Sequence, residues 1–268
     1  DMFNNEKYAE LAYRSQRSYM ESDPFPHIVL DDFLPLSIAK TISEEYPTAN
    51  NDVSSNFKFH EHDNVKRHFL EDSREFSTNL KLFSSAISSR SFLLFLETIT
   101  GLKSLFPDPY FLGEGANMTG NGGFLNIHVD SNWNQKLQAW RRCNVLFYLT
   151  KDWKREYEGN LELWTKDGSR KAKEIAPIFN RVVIFNTNSG SFHGQPTKTN
   201  TPEHIFRRVF SSSYYSTEKD ELIDSSPHFT KYNVEDKRND NIASFESSPY
   251  TDEITADYLK NIKNLLVK

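Results

Sequence analysis

The segment Gly123-Phe124-Leu125-Asn126-Ile127-His128-Val129-Asp130 has the pattern of a β-strand that ends in the motif His-x-Asp. Alternate side chains of a strand point to the same face, with their Cα atoms about 6–7 Å apart. The side chains of His128 and Asp130 can therefore meet at one point, as two of the three ligands of a 2-His-1-carboxylate iron site. A His-x-Asp pair alone is a weak signal. It becomes specific only if a second histidine and a cation follow on later strands.

Both of these residues follow. His193 lies in the segment 188–196, directly after a predicted strand and sixty-three residues beyond Asp130. Two cations, Arg207 and Arg208, stand at the start of the last predicted strand. Because adjacent side chains of a strand point to opposite faces, only one of these two arginines can face the same site as His193.

Composition limits the classes of protein to consider. The chain has 268 residues, of which 14% are aromatic, and such residues favour strands. A net charge of −5 argues against a general binder of nucleic acid or membrane surfaces. The single cysteine, Cys143, excludes an intrachain disulfide and fits a reducing compartment, where ferrous iron also persists. There is no apolar run of the length of a membrane span and no signal-peptide pattern. We therefore expect a soluble, cytoplasmic protein, and the oligomeric state stays open.

The pattern of the chain changes at Gly101, from predicted helices to short apolar runs between turn signals. Helices are predicted over residues 6–21, 35–46, 78–100 and 252–267, and polar loops over 48–66 and 218–250. Strands are predicted over residues 27–33, 110–114, 123–128, 144–150, 160–164, 173–175, 181–186 and 206–216. Helices first and many short strands later predict a β-barrel core that is supported by N-terminal helices.

The order His-x-Asp, His and Arg resembles the Fe(II)/2-oxoglutarate-dependent dioxygenases, and in particular the prolyl-hydroxylase-like group. Residues 24–34 resemble the start of that group, and residues 117–216 resemble its core. The shared landmarks are the segments 122–130, 142–149, 151–153, 159–164, 179–181 and 192–196. The resemblance implies a mainly-β (α+β) fold with a double-stranded β-helix, or jelly-roll, core at 105–217. Residues 1–104 would form its helical support and 218–268 a closing loop and helix, all within one domain.

The resemblance also implies roles for individual residues. His128, Asp130 and His193 match the iron ligands. Arg207 matches the cation that binds the far carboxylate of 2-oxoglutarate, as a guanidinium fork can do with two charge-assisted hydrogen bonds. Arg208 would then share the outer face of the strand with Phe210. Tyr148 matches a position that offers a phenol to the same carboxylate. The implied cofactors are Fe(II), 2-oxoglutarate and O2, with ascorbate as a stimulant.

Two positions depart from the family pattern. Val209 stands where members often have Ser or Thr, and Ser131 stands where close relatives have an aromatic residue. Asp130 itself is retained, which favours hydroxylation over halogenation. The implied reaction is hydroxylation of an unactivated C–H bond in a small molecule, an amino acid or a peptidyl group such as proline, with release of succinate and CO2. The alternatives are a non-catalytic jelly-roll binding module, or the same iron chemistry ending in desaturation, epimerisation or cyclisation.

Several other residues have both a structural and a functional interpretation. Asn144 and Glu162 are candidates for contact with substrate or 2-oxoglutarate, and equally for turn-bonded or solvated positions. The segments 48–66, 131–141 and 218–250 are the candidate substrate loops. Structural roles are favoured for the remaining candidates, which are Trp133, Trp140, Trp164, His60, His62, Cys143 and Arg181.

Overall fold

The computed structural model describes residues 2–47, 58–70, 75–110, 115–224 and 226–233. The predicted helix over 252–267 lies outside these ranges, as do most of the predicted strand over 110–114 and parts of both polar loops. The boundaries of the three predicted parts of the domain therefore stay a prediction.

Four helices support the sheet: α1 (Glu6–Met20), α2 (Leu36–Glu44), α3 (Thr78–Ile87) and α4 (Arg90–Thr100). The prediction of one helix over 78–100 was wrong, because the chain breaks at Ser88 and Ser89. The Ser88 hydroxyl donates to the carbonyl of Ser84, and the Ser89 hydroxyl accepts from the backbone of Phe92 and so begins α4. Serine hydroxyls compete in this way with helical hydrogen bonds and favour helix ends.

The strands form one curled sheet, and every strand pairing among the described residues is antiparallel. The main path runs β1-β11-β8-β13-β5-β3-β6-β12-β9-β10. The strands are β1 (His27–Leu30), β2 (Lys58–His62), β3 (Val65–Leu70), β4 (Phe106–Pro107), β5 (Gly115–Thr119), β6 (Phe124–Val129), β7 (Trp133–Asn134), β8 (Ala139–Tyr148), β9 (Leu161–Trp164), β10 (Lys171–Ile175), β11 (Val182–Asn186), β12 (His193–Gln195), β13 (Arg207–Ser216) and β14 (Lys231–Tyr232). The mainly-β jelly-roll fold with flanking helices is confirmed.

The sequence predictions missed strands in two places. The segment predicted as the loop 48–66 contains β2 and the start of β3, and β3 completes the sheet between β5 and β6. Its composition is polar, but Val65, Phe69 and Leu70 are buried by neighbouring elements. The strand β5, which pairs with β13 through Gly115 to Thr119, was not predicted. Most of the strand predicted at 110–114 lies outside the described residues, so that strand stays a prediction.

The outer face of the sheet packs against the helices. Phe147 on β8 and Phe210 on β13 are fully buried there, and both contact Phe83 of α3 edge to face. Cys143 is buried in the same cluster, as its predicted packing role requires. The outer face therefore joins the sheet to the helices, while residues of the inner face line a cavity.

None of the described helices is by itself long and apolar enough to cross a membrane. By length and composition only, α3 and α4 together are long and apolar enough for a membrane span, as a pair that is bent by 48°.

Candidate metal and co-substrate site

The two candidate histidines lie on neighbouring strands. His128 on β6 and His193 on β12 are direct antiparallel partners, and their ring centroids are 4.6 Å apart. Gly194 allows this close approach, because a Cβ at that position would lie 2.8 Å from the backbone oxygen of Asn126. The pairing that the sequence could only suggest is thus made by adjacent strands.

Asp130 follows β6 and faces both imidazoles. Its Oδ1 lies 3.3 Å from Nε2 of His128, and its Oδ2 lies 3.6 Å from Nε2 of His193. One potential ligand atom from each of the three residues lies within 4.8 Å of the others. These three side chains could therefore hold one metal ion from one side, with two nitrogen ligands and one oxygen ligand.

Hydrogen bonds fix the orientation of both rings. Nδ1 of His128 lies 2.8 Å from the carbonyl oxygen of Asn126, and Nδ1 of His193 lies 2.8 Å from that of Ser191. Each Nδ1–H donates to its carbonyl, so each Nε2 faces Asp130 as the ring atom that could bind a metal. Burial, followed by the neighbouring His128, lowers the pKa of His193 to about 4. The imidazole of His193 is thus neutral at physiological pH, as a metal ligand must be.

Asp130 is held as a carboxylate by polar neighbours on β8. The side-chain amide of Asn144 donates to Oδ2 at 2.7 Å, and Nη1 of Arg141 lies 3.2 Å from the same oxygen. Burial alone would raise the pKa of Asp130, but the charge of Arg141 and the two histidines lower it well below its usual value. Asn144 also accepts from the Ser213 hydroxyl at 2.7 Å, so its described contacts are with the site's own residues.

Of the two adjacent arginines, Arg207 faces the cavity and is only 8% exposed. Its Nε donates to the carbonyl of Gly159 at 2.7 Å, and its Nη2 donates to the Tyr148 hydroxyl at 3.3 Å. Burial lowers the pKa of Arg207 from its ordinary value, and the phenol of Tyr148 opposes this effect. Arg208 points the other way and donates to the carbonyl of Ser43 on α2.

Tyr148 lies behind Arg207. Its side chain is fully buried, and the centre of its ring is 5.1 Å from the guanidinium carbon of Arg207. Burial raises the pKa of the phenol, so Tyr148 stays protonated and accepts from Arg207 through a neutral oxygen. Tyr148 is absent from the described residues that line the cavity. Its direct contact with 2-oxoglutarate stays a prediction.

The three candidate ligands and Arg207 line one cavity of about 730 Å³, open mouth included. Val209 lines it too, so the departure from the family pattern is an apolar side chain inside the site. The other lining residues are Arg67, Asn117, Thr119, Leu125, Arg141, Asn144, Leu146, Leu161, Gly194, Gln195, Ser211 and Ser213. Sequence reasoning missed Arg67, Asn117 and Thr119, because their strands β3 and β5 were not predicted.

The C-terminal part of the described chain runs beside the histidines. Tyr232 on β14 pairs with His128, and the two ring centroids are 5.5 Å apart. Upstream of β14, Nε2 of His228 lies 2.8 Å from the Ser189 hydroxyl, which also donates to Asp224. The described part of the predicted loop 218–250 is therefore attached next to the site.

The remaining candidates have structural contacts. Glu162 accepts from the indole of Trp164 at 2.8 Å and pairs with Lys171 at 3.3 Å. Arg181 pins its turn through two hydrogen bonds to Asp31. The rings of Trp133 and Trp140 pack edge to face in the β7–β8 hairpin, at 5.0 Å. Nδ1 of His62 accepts from the backbone of Asn64.

Comparison with protein families agrees with this geometry. A family model described as the 2OG-Fe(II) oxygenase superfamily, where 2OG stands for 2-oxoglutarate, matches residues 114–216. The matched segment is less than half of the chain, and it is similar to that superfamily. The matched residues include all three candidate ligands, Arg207 and Tyr148. A search of curated protein sequences found no match.

Solved structures of prolyl hydroxylases are similar in fold. A prolyl-4-hydroxylase from Pseudomonas putida has a TM-score of 0.54 at 13% identity, over 78% of this chain and 100% of that chain. A prolyl hydroxylase from Trichoplax adhaerens, in complex with a hypoxia inducible factor peptide fragment, has a TM-score of 0.51 at 17% identity, over 78% and 90%. A prolyl 4-hydroxylase from Phytophthora capsici has a TM-score of 0.52 at 21% identity, over 79% and 66%.

Proposed function

We propose that this chain is an Fe(II)- and 2-oxoglutarate-dependent dioxygenase that hydroxylates an unactivated C–H bond and releases succinate and CO2. The observation that carries the proposal is the meeting of His128, Asp130 and His193 in the cavity that also contains Arg207. Two neutral imidazoles and one carboxylate on one side of a metal are the ligand set of non-haem Fe(II) oxygenases.

The residues present fit an iron ion. Both Nε2 atoms face Asp130, and Asp130 is ionised before any metal binds. Because the three residues would hold the ion from one side, its other side would be open to co-substrate and O2. When bound, the ferrous ion supplies the activation of O2 that is coupled to oxidative decarboxylation of 2-oxoglutarate.

Arg207 is proposed to bind the distal carboxylate of 2-oxoglutarate. A buried carboxylate requires a cation and satisfied hydrogen bonds. Gly159 and Tyr148 accept one N–H each from the guanidinium and so hold its orientation, while its other N–H groups stay available for a carboxylate. In this arrangement Tyr148 acts by positioning Arg207, and direct donation to the co-substrate is an additional role to be tested.

The substrate is proposed to be a small molecule, an amino acid or a peptidyl group. A prolyl side chain in a peptide is one candidate, supported by the resemblance of the fold to prolyl hydroxylases. Fold alone does not determine the substrate. Mass spectrometry of the product would separate hydroxylation, which adds one oxygen, from desaturation, which removes two hydrogens.

Anaerobic titration tests the proposed site directly. Addition of 2-oxoglutarate to the Fe(II) protein should produce the weak visible charge-transfer band of a chelate. His128→Ala should abolish the band, and Arg207→Gln should raise the 2-oxoglutarate concentration needed for half-saturation by about 100-fold, because a buried charge-assisted pair is lost.

Arg208→Gln is the matched control, because it removes the adjacent guanidinium on the outer face of β13. It should leave the half-saturating concentration unchanged. A folded wild-type protein that binds iron but shows no 2-oxoglutarate complex would contradict the proposal and favour a non-catalytic binding module.

A further inference from the structure

Thr119 lies directly across the sheet from Arg207. The two residues are paired partners on β5 and β13, and both line the cavity. We propose that the Thr119 hydroxyl is a second donor to the distal carboxylate of 2-oxoglutarate, beside the guanidinium of Arg207. This inference rests on the proposed function and adds a residue that the family pattern does not assign.

Of the three hydroxyl groups among the described residues of the cavity wall, that of Thr119 belongs to the strand partner of Arg207. Ser213 donates to the side chain of Asn144 at 2.7 Å. Ser211 accepts from that of Asn117 at 2.7 Å and pairs with Gly115, at the other end of β5 from Thr119. No hydrogen bond joins the Thr119 hydroxyl to another described residue, although the side chain is only 3% exposed. A hydroxyl on the cavity wall that has no protein partner is available to donate to a ligand bound there.

The methyl group of Thr119 fixes the direction of the hydroxyl. Gly123, at the turn before β6, has no side chain, and a Cβ there would overlap Cγ2 of Thr119. The methyl group therefore occupies the space that a side chain at position 123 would fill. Threonine has few χ1 rotamers, so a methyl group at that place also sets the position of the hydroxyl oxygen, whose hydrogen can rotate towards an acceptor.

A second donor is needed because a carboxylate has about four lone-pair sites. Val209, two residues beyond Arg207, offers no donor to the cavity. Two N–H groups of Arg207 are already bonded to Gly159 and Tyr148. A hydroxyl from the neighbouring strand β5 supplies what Val209 on β13 does not.

The test compares Thr119→Val, which keeps the shape and loses the hydroxyl, with Thr119→Ser, which keeps the hydroxyl. The dissociation constant of 2-oxoglutarate is measured by anaerobic titration of the Fe(II) protein. Thr119→Val should raise it by about tenfold, as expected for loss of one charge-assisted hydrogen bond, while Thr119→Ser should stay within about twofold of wild type.

Two controls make the result specific. Thr187→Val makes the same change at a buried threonine whose hydroxyl has no partner. Thr187 lies outside the cavity wall, so this variant should bind 2-oxoglutarate like wild type. 2-Oxobutanoate has the chelating group without the distal carboxylate. Wild type and Thr119→Val should therefore bind 2-oxobutanoate equally.

Equal affinity of wild type and Thr119→Val for 2-oxoglutarate would overturn the inference. So would an equal loss of affinity for 2-oxobutanoate, because Thr119 would then act away from the distal carboxylate. Failure of the proposed function is a different result, in which the wild-type protein itself forms no complex with 2-oxoglutarate.

Discussion

Asn144 connects the metal site to the sheet through two hydrogen bonds. It donates to Asp130 at 2.7 Å and accepts from Ser213 at 2.7 Å. A hydrogen bond of this kind holds a ligating carboxylate in the orientation that the metal requires. Asn144 is therefore a positioning residue for the metal, although it makes no proposed metal bond of its own.

Asn144→Ala should weaken Fe(II) binding by about tenfold, because loss of a partner of a ligand costs roughly 10- to 100-fold in affinity. Anaerobic calorimetry with Fe(II) measures this. Asn160→Ala is the matched control, since Asn160 makes a similar bond to a carboxylate, that of Glu174, away from the cavity. Equal Fe(II) affinity in wild type and Asn144→Ala would show that Asp130 is held without Asn144.

At the scale of residues, the proposed ligands could be predicted because their geometry is local. His128 and Asp130 share a face through the two-residue period of a strand, and His193 follows a recognisable strand. The contact of Asn144 with Asp130 could not be predicted, because it depends on how β8 lies against the end of β6. Strand alternation predicts that Arg207 and Arg208 point to opposite faces, but not which of them faces the cavity. The packing of β13 against α2 decides this, because Arg208 donates to α2.

At the scale of elements, β12 holds one histidine against the other through its glycine. Gly194 lies between His193 and Gln195, and a Cβ there would lie 2.8 Å from the backbone oxygen of Asn126 and 2.9 Å from that of Leu125. Contacts this short to backbone atoms cannot be relieved by a side-chain movement. The strand β12 would have to move away from β6.

Gly194→Ala should therefore lower the free energy of unfolding by about 1–3 kcal/mol, as overpacking does, and also weaken Fe(II) binding. Gly190→Ala is the matched control, because the nearest atom to a Cβ there is 3.5 Å away. Urea unfolding and Fe(II) calorimetry on both variants measure the two effects. A Gly194→Ala protein with unchanged stability and Fe(II) affinity would mean that β12 adapts without moving His193.

The elements that the sequence did not predict were missed because hydrophobic patterns do not mark them. β2 and the start of β3 are polar, and β3 forms part of the cavity wall, so hydrophobic alternation is weak there. The break between α3 and α4 comes from hydroxyl groups that hydrogen-bond the backbone, which apolar periodicity does not register. The strands β11 and β13 were predicted well, because their apolar runs are bounded by turn residues.

At the scale of the whole molecule, the curled sheet encloses its polar site and buries histidines in it and around it. Burial lowers the pKa of His27, His68, His193 and His228 from the ordinary value. The pKa of Asp130 is lowered as well, by charges that outweigh its burial. The fold therefore depends on neutral histidines and an ionised aspartate, and both conditions fail towards low pH.

The sign of the resulting pH dependence follows from proton binding. A histidine whose pKa is lower in the folded chain binds more protons when the chain is unfolded, so stability is complete above about pH 6.5 and falls as the pH decreases towards the folded value. For His193 the folded pKa is about 4. This residue alone should cost the metal-free protein about 2 kcal/mol of unfolding free energy between pH 7 and pH 5.

Urea unfolding with a chelator present, at pH 7 and at pH 5, measures the loss. The unfolding free energy of wild type should fall by more than the part that comes from His193, because the other three histidines act in the same direction. His193→Gln cannot take up that proton, so its loss between the two pH values should be smaller by about 2 kcal/mol. An equal loss in both proteins would mean that His193 is protonated as readily inside the fold as outside it. The imidazole would then not be held neutral for a metal ion.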